Sequence, residues 1–79
     1  MRLDKFLKIS RLIKRRTIAN ELASAGRVKV NDKIAKPGTD IKVGDIIEIT
    51  FGEQVSRVEV LQIREHVLKE QASELYRLL

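Results

Sequence analysis

The residues of this chain that are best suited to chemistry are the bases near its start. Residues 1–16 contain seven bases and one acid, for a net charge of +6, whereas the rest contains nine bases and ten acids, for −1. The seven bases are Arg2, Lys5, Lys8, Arg11, Lys14, Arg15 and Arg16. Such an asymmetry indicates a polyanionic partner, because cationic side chains pair with phosphate groups. Charge that only maintains solubility is the alternative explanation.

Residues suited to enzymatic or metal chemistry are scarce. Cysteine is absent, and the single histidine, His66, stands beside Glu65 where a surface or capping role is expected. Asp40 and Asp45 fall in turns, where aspartate is common for backbone reasons. Clustered His, Cys or carboxylate ligands and phosphate-binding glycine loops are not found. We therefore expect no enzyme activity, no metal and no cofactor.

Length and composition limit the architecture further. The 79 residues are enough for one small domain, residues 1–79. The absence of cysteine fits a reducing compartment, the start lacks the apolar core of a secretory signal, and no apolar run approaches the ~20 residues of a membrane span. We expect a cytoplasmic monomer without a membrane partner.

Helical spacing governs the first third of the chain. Leu3, Phe6, Leu7 and Ser10 share one face of a helix predicted at residues 2–9, with Phe6 in the core. A second helix is predicted at residues 15–25, with its buried face at Ile18, Leu22 and Ala25, Ala19 and Ala23 beside them, and a glycine end at Gly26. Lys14, Arg15 and Arg16 lie at its N-terminus, where the helix dipole disfavours cations. An external anion would explain their position.

Beyond Gly26 the apolar period changes to two. Strands are predicted at residues 27–30, from Ile34, at 46–51 and at 55–60, separated by turns at Asn31-Asp32, Pro37-Gly38 and Val43-Gly44-Asp45. A final helix is predicted through Leu68, Ala72, Leu75, Tyr76 and Leu79. The fold class is α+β: two N-terminal helices packed on a small, mostly antiparallel sheet, plus a C-terminal helix.

An ordered set of residues resembles the S4-type RNA-binding domain, also called the alpha-L fold. The set is Arg2-Leu3-Asp4, Leu7, Arg11-Leu12, Arg16-Thr17, Ala19, Gly26-x-Val28-x-Val30-Asn31, Pro37 and Val43-x-Asp45-x-Ile47. The resemblance covers residues 1–50, and residues 51–79 form a C-terminal strand and helix extension. Asp32 stands where the family usually has glycine, so we expect a slightly altered hairpin with no loss of fold.

The whole chain is similar to stand-alone bacterial S4 proteins of ribosome-associated quality control, which are related to the ribosome-associated heat-shock proteins. This resemblance implies binding to large ribosomal subunits obstructed by peptidyl-tRNA. It implies contacts with 23S rRNA and with the tRNA. It also implies a partner factor that adds a C-terminal tail to the stalled nascent chain, which this protein would support.

The expected RNA-binding surface comprises the seven N-terminal bases together with Arg27. Asp4 is expected to orient a neighbouring arginine, and Lys29 to widen the surface near the same helices. Thr17 and Asn20 are possible contacts to phosphate or to a 2′-hydroxyl, and ordinary helix-capping or surface roles are equally consistent. Because only three aromatic residues occur, recognition should rest on RNA shape and backbone, not on base identity.

Two other functions remain open from the sequence. Two short helices and a basic run also fit a helix-turn-helix-like DNA-binding protein, although Asn20, Glu21 and Ser24 are a thin, partly acidic set for a recognition helix. A protein-binding adaptor would use the acidic residues of the C-terminal half. These are Glu53, Glu59, Glu65, Glu70 and Glu74.

Overall fold

Two short helices begin the chain in the computed structural model, which describes residues 1–79. Helix α1 spans Leu3–Ile9 and helix α2 spans Arg16–Ser24. Leu3, Phe6 and Leu7 are fully buried, because their spacing places them on one face of α1. Phe6 thus lies in the core, as the sequence predicts.

The buried stripe of α2 differs from the prediction by one position. Ala19 and Ala23 are buried, whereas Ile18 and Leu22 are half-buried and Ala25 is exposed. Two alanines on the inner face leave room for α2 to pack against α1. The larger Ile18 and Leu22 flank that line of contact and pack against the core from its sides.

Five antiparallel strands follow the helices. They are β1 (Val28–Val30), β2 (Lys33–Ile34), β3 (Ile46–Phe51), β4 (Gln54–Val60) and β5 (Tyr76–Leu78). Their order in the sheet is β2-β1-β3-β4-β5, and every neighbouring pair is antiparallel. The α+β class and the antiparallel sheet are confirmed.

Alternation along the central strands divides the sheet into two faces. Val28, Ile47 and Val58 are fully buried and form one core with the inner faces of the helices. On the opposite face, Glu48 lies in register with Lys29 on one side and Arg57 on the other. Its carboxylate is 4.0 Å from Lys29 Nζ and 3.7 Å from Arg57 Nε. On the outer face, a half-buried Glu48 therefore pairs across the strands with two exposed cations.

The turn between β1 and β2 contains the residue that departs from the S4 pattern. Asn31 and Asp32 have φ angles of 52° and 68°, as a two-residue type I′ hairpin requires. The Asn31 side chain donates to Asp45 Oδ1 at 3.1 Å and accepts from the Ile46 amide at 2.9 Å. These bonds fix the hairpin to the start of β3. Asp32 itself adopts the positive φ that the turn requires, and β1 and β2 still pair beside it, so the fold accommodates an aspartate at position 32.

The C-terminal segment is only partly helical. A 3₁₀ helix spans Lys69–Leu75 and buries Ala72 and Leu75, but Tyr76–Leu78 form strand β5. The prediction of a helix through Leu79 is wrong from Tyr76 onward. Without β5, the edge of β4 would lack backbone partners. Tertiary pairing with that edge outweighs the local helical spacing of the apolar residues.

None of the helices has the length and apolar character that a bilayer span requires.

Candidate nucleic-acid interface

A buried carboxylate lies at the centre of the N-terminal basic segment. Asp4 is 2% exposed in the first turn of α1. Arg2 Nε donates to its Oδ1 at 3.1 Å, and Arg2 Nη2 donates to Oδ2 at 3.2 Å. This two-point geometry fixes the plane of the Arg2 guanidinium as well as its position.

Helix α2 supplies two further donors to the same carboxylate. Arg16 Nη2 lies 3.4 Å from Asp4 Oδ1, and Asn20 Nδ2 lies 3.4 Å from Oδ2. Asp4 thus connects the two helices and holds two arginines side by side. The Arg2 and Arg16 side chains remain 54% and 48% exposed, so both can still donate outward.

Burial and charge act against each other at Asp4. Burial by itself raises the pKa of this carboxyl, but hydrogen bonds from Arg2, Arg16 and Asn20, together with the Arg16 charge, lower it to about 2. The carboxylate is therefore ionised at neutral pH. Two cations around one anion leave the group with a net positive charge that faces solvent.

The chain terminus positions Arg2. The Met1 ammonium group lies 2.7 Å from Asp40 Oδ1, and residues 2 and 40 form an isolated antiparallel bridge. The Leu3 amide donates to the Thr39 carbonyl at 2.8 Å, and the Asp4 amide donates to the Pro37 carbonyl at 3.1 Å. The loop before β3 thereby anchors the start of α1 and the side chains that it presents.

Asp4 and its three donors, Arg2, Arg16 and Asn20, form what we call the Asp4 group. An open depression of about 380 Å³ lies beside it. Asp4, Arg16, Thr17, Asn20 and Glu21 line it. Thr17 and Asn20, which the sequence marks as possible contacts, therefore lie next to Arg16. All five lining residues are polar or charged, with one base and two acids among them.

The connection between the helices presents three more bases, Arg11, Lys14 and Arg15, all of them exposed. Arg11 has a φ of 61°, a left-handed conformation in which a residue with a Cβ is strained. Arg15 is the N-cap of α2, and no side chain caps the helix start. Backbone strain at Arg11 and cations at a helix N-terminus are both local costs to stability.

The structure separates some predicted site residues from this surface. Lys5 forms an ion pair with Glu65 of the C-terminal segment, and this contact lowers the pKa of Glu65. Lys29 lies on the outer face of the sheet beside Glu48, so the expectation that it lies near the helices is wrong. Arg27 is exposed immediately before β1. No ion pair is formed by Lys8, Arg11, Lys14, Arg15 or Arg27.

Sequence reasoning missed three features of this region. The Asp40 contact joins residues 39 positions apart, and the Lys5–Glu65 contact spans 60, so no local spacing indicates either. Phe51 shares a strand face with Ile47 and Ile49, yet it is 59% exposed at the end of β3. Its position next to the β3–β4 turn is the one available signal that it could lie outside the core.

No group of three or more His, Cys, Asp or Glu side chains is close enough to hold a metal ion.

The sequence of this chain is similar to those of known proteins. The family model described as the S4 domain matches residues 1–47. The chain is 55% identical over 76 residues to the RQC P-site tRNA stabilizing factor of Halalkalibacterium halodurans, with 96% of this chain and 86% of that protein covered. It is 52% identical over 79 residues to the protein of the same name from Listeria innocua, with 100% and 86% covered.

The fold of this chain is also similar to that of a solved structure. The trimeric structure of Vibrio cholerae heat shock protein 15 matches with a TM-score of 0.91 and 29% identity. The match covers 100% of this chain and 81% of that one. The similarity therefore extends through the 3₁₀ helix and β5, beyond the residues that the family model matches.

Proposed function

The chain belongs to the S4 domain family, and on that basis we propose that it binds RNA and stabilises P-site tRNA on large ribosomal subunits during ribosome-associated quality control. The observation that carries the proposal is the Asp4 group, in which one buried carboxylate holds Arg2 and Arg16 side by side with outward-facing donors. Similarity over nearly the whole chain to proteins named for P-site tRNA stabilization supports the ribosomal target.

The Asp4 group would act as a phosphate clamp. Asp4 orients the two guanidinium groups, and their free N–H groups donate to backbone phosphates. Lys8, Arg11, Lys14, Arg15 and Arg27 add cations that no acid neutralises, and Lys5 would join them on release from Glu65. Thr17 and Asn20 would contact phosphate or 2′-hydroxyl oxygens at the adjoining depression.

The ribosomal partners follow from the same proposal. The protein would contact 23S rRNA and peptidyl-tRNA, and it would support a partner factor that tails the stalled nascent chain. It would act as a cytoplasmic monomer and not as an enzyme. Its contribution would be to hold the tRNA in place by charge and shape.

The other two functions receive less support from the geometry. On α2, the exposed candidates besides Asn20 are Glu21, which is acidic, and Ser24, which donates to Asn20 at 3.4 Å, so few side chains are available to read the base edges of duplex DNA. In the acidic half, Glu59 pairs with Arg77 and Glu65 pairs with Lys5. Two of the five acids that a protein adaptor would use are therefore already engaged.

Sedimentation distinguishes the three functions. Purified protein is mixed with large ribosomal subunits at physiological salt, before and after nuclease digestion, with duplex DNA as competitor. Cosedimentation that nuclease abolishes and duplex DNA leaves intact supports the proposal. Cosedimentation that survives nuclease digestion would assign the protein to the adaptor class. Release of the protein from the subunits by a stoichiometric amount of duplex DNA would assign it to the DNA-binding class.

A further inference from the structure

A second depression, of about 360 Å³, separates the α1–α2 connection from the end of the sheet. Four apolar residues line it, together with two cations. They are Leu12, Ile13, Ile18 and Phe51, with Lys14 and Arg15. No acidic residue lines this depression, in contrast to the one beside Asp4.

Phe51 is the aromatic residue that this depression presents to solvent. Phe6 is fully buried and Tyr76 is half-buried, so the 59% exposure of Phe51 distinguishes it from the other two aromatic residues. The residues before it on the same strand face, Ile47 and Ile49, are 0% and 6% exposed. An aromatic ring that is left in water at the end of a buried row is available for a partner.

We infer that this depression receives one unpaired nucleobase of the bound RNA, stacked on Phe51, with Lys14 and Arg15 on the flanking phosphates. The inference rests on the RNA-binding function proposed above and specifies a contact that the Asp4 group does not supply. Stacking on an aromatic ring tolerates any base, so it adds affinity without demanding a sequence.

Charge and continuity favour a nucleotide over an apolar protein segment as the occupant. Lys14 and Arg15 form no ion pair and have no acid beside them in the lining, so this depression favours an anionic partner over a neutral apolar one. The next residue, Arg16, contacts Asp4. One RNA strand can therefore run from the Asp4 group past the start of α2 to Phe51 without leaving the cationic surface.

The test compares Phe51→Leu with Phe51→Trp on two RNA hairpins of equal length, one fully paired and one carrying a single bulged nucleotide. Binding is measured at low salt, where phosphate contacts hold the protein to either hairpin. We expect Phe51→Leu to bind the bulged hairpin about tenfold more weakly and the paired hairpin unchanged. Phe51→Trp should bind the bulged hairpin as well as the wild type does.

Two further readouts separate stacking from charge and from folding. Stacking releases no counterions, so Phe51→Leu should shift the affinity at every salt concentration without changing the salt slope. Because the Phe51 side chain is exposed, the melting temperature of the Phe51→Leu variant should stay within about 2 °C of the wild-type value. A changed slope would assign Phe51 to the electrostatic surface, and a large fall in melting temperature would assign it to the core; both would overturn the inference.

Phe51→Trp also provides a direct signal, because the natural chain contains no tryptophan. The fluorescence of the introduced indole should be quenched by the bulged hairpin and little affected by the paired one. Leu78→Trp is the matched control, since Leu78 is 70% exposed on β5 and pairs with Val58, away from the β3–β4 turn. Its fluorescence should respond to neither hairpin.

The failures of the two proposals are distinguishable. If the wild type and Phe51→Leu bind the bulged hairpin equally and the indole is not quenched, the proposed stacking of a base on Phe51 is wrong, and the proposal of RNA binding stands. If the wild type binds neither hairpin nor ribosomal RNA, both proposals fail. If Phe51→Leu binds both hairpins normally but no longer binds a ribosomal protein, the depression is a protein contact and the inference is overturned.

Discussion

Asp4 is the residue at which burial and charge are most closely balanced. A buried carboxylate is unfavourable unless its oxygens are paired, and here two arginines and one asparagine donate to it. Arg2 and Arg16 in turn lose freedom, so their remaining donors are already organised for the phosphates that we propose as their partners. The one acid among the seven N-terminal bases is therefore explained by its role in holding Arg2 and Arg16, which the composition alone does not reveal.

The Asp4 group should contribute to stability in a pH-dependent way. Its folded-state pKa of about 2 lies below the ordinary 3.8, so the contribution is fully present above about pH 4 and is lost as the pH falls through 2. The difference corresponds to about 2 kcal/mol at neutral pH. Urea unfolding of the wild type and Asp4→Asn between pH 2 and pH 7 measures it.

In that comparison, the stability gap between wild type and Asp4→Asn should narrow toward pH 2. A gap that stays constant across the range would show that the charge of Asp4 is not what stabilises the cluster.

The strained backbone at Arg11 leads to a separate prediction. Glycine adopts the φ of 61° without a Cβ clash, so Arg11→Gly should raise the free energy of unfolding by about 1 kcal/mol while weakening RNA binding. Arg11→Ala is the matched control, because alanine loses the charge but keeps the clash. Both variants should bind RNA equally weakly, and only the glycine variant should melt at a higher temperature. Unchanged RNA affinity in both would remove Arg11 from the binding surface.

At the scale of elements, α2 is the helix whose sequence conflicts most with its own stability. It begins with a run of cations, has no side-chain cap and has no acid in its first turn. The helix persists because Ala19 and Ala23 are buried in the core and because Asn20 and Arg16 reach Asp4. Tertiary contacts thus compensate for an unfavourable helix start, which lies where we propose that RNA binds.

Arg16→Ala should therefore weaken binding to ribosomal RNA by about 1.5–3 kcal/mol, because a charge-assisted contact is lost. The log–log salt slope should become shallower by about one unit. The melting temperature should change little, since the loss of the 3.4 Å contact to Asp4 is offset by removal of a cation from the helix start. Lys69→Ala, in the charge-balanced half, is the control and should bind normally. Normal binding by Arg16→Ala would contradict the assignment.

The C-terminal segment should contribute to stability through Leu75 and little through its exposed end. The Leu75 side chain is fully buried, so Leu75→Ala, which keeps the backbone bond from the Leu61 amide to the Leu75 carbonyl, should cost about 2–5 kcal/mol through lost packing alone. Leu78→Ala, at a side chain that is 70% exposed, should stay within about 0.5 kcal/mol. Thermal and urea unfolding of both variants measure the difference. Equal effects would show that the segment does not pack on the sheet as described.

The elements that the sequence predicts correctly are those that depend on residues close together in the chain. Apolar spacing placed α1 and α2 within one residue at each end, and the turn at Asn31-Asp32 placed the first hairpin. Strand β5 was not predictable, because Leu75 and Tyr76 continue a helical pattern and only the free edge of β4 selects a strand. The site follows the same division: the basic segment is visible in the sequence, whereas the Asp40 and Glu65 contacts depend on distant residues.

On the scale of the whole molecule, charge and fold act together. The core joins the helices to one face of the sheet, and on the outer face Glu48 pairs with Lys29 and Arg57. Residues 17–79 together carry a net charge of −1, so the excess positive charge lies in residues 1–16, which form α1, the connection and the start of α2. If about four to six phosphates are engaged, RNA affinity should fall with a log–log salt slope of about −3.6 to −5.4, by extension of the duplex rule of roughly −0.9 per phosphate.

The most direct test of the central claim is the affinity of the wild-type protein for large ribosomal subunits with and without peptidyl-tRNA in the P site, measured at one physiological salt concentration. The account predicts clearly tighter binding to the subunits that carry the tRNA. By thermodynamic linkage, the tRNA should bind tighter by the same factor to subunits that hold the protein. Equal affinity for both kinds of subunit, with an unchanged affinity of the tRNA, would contradict it.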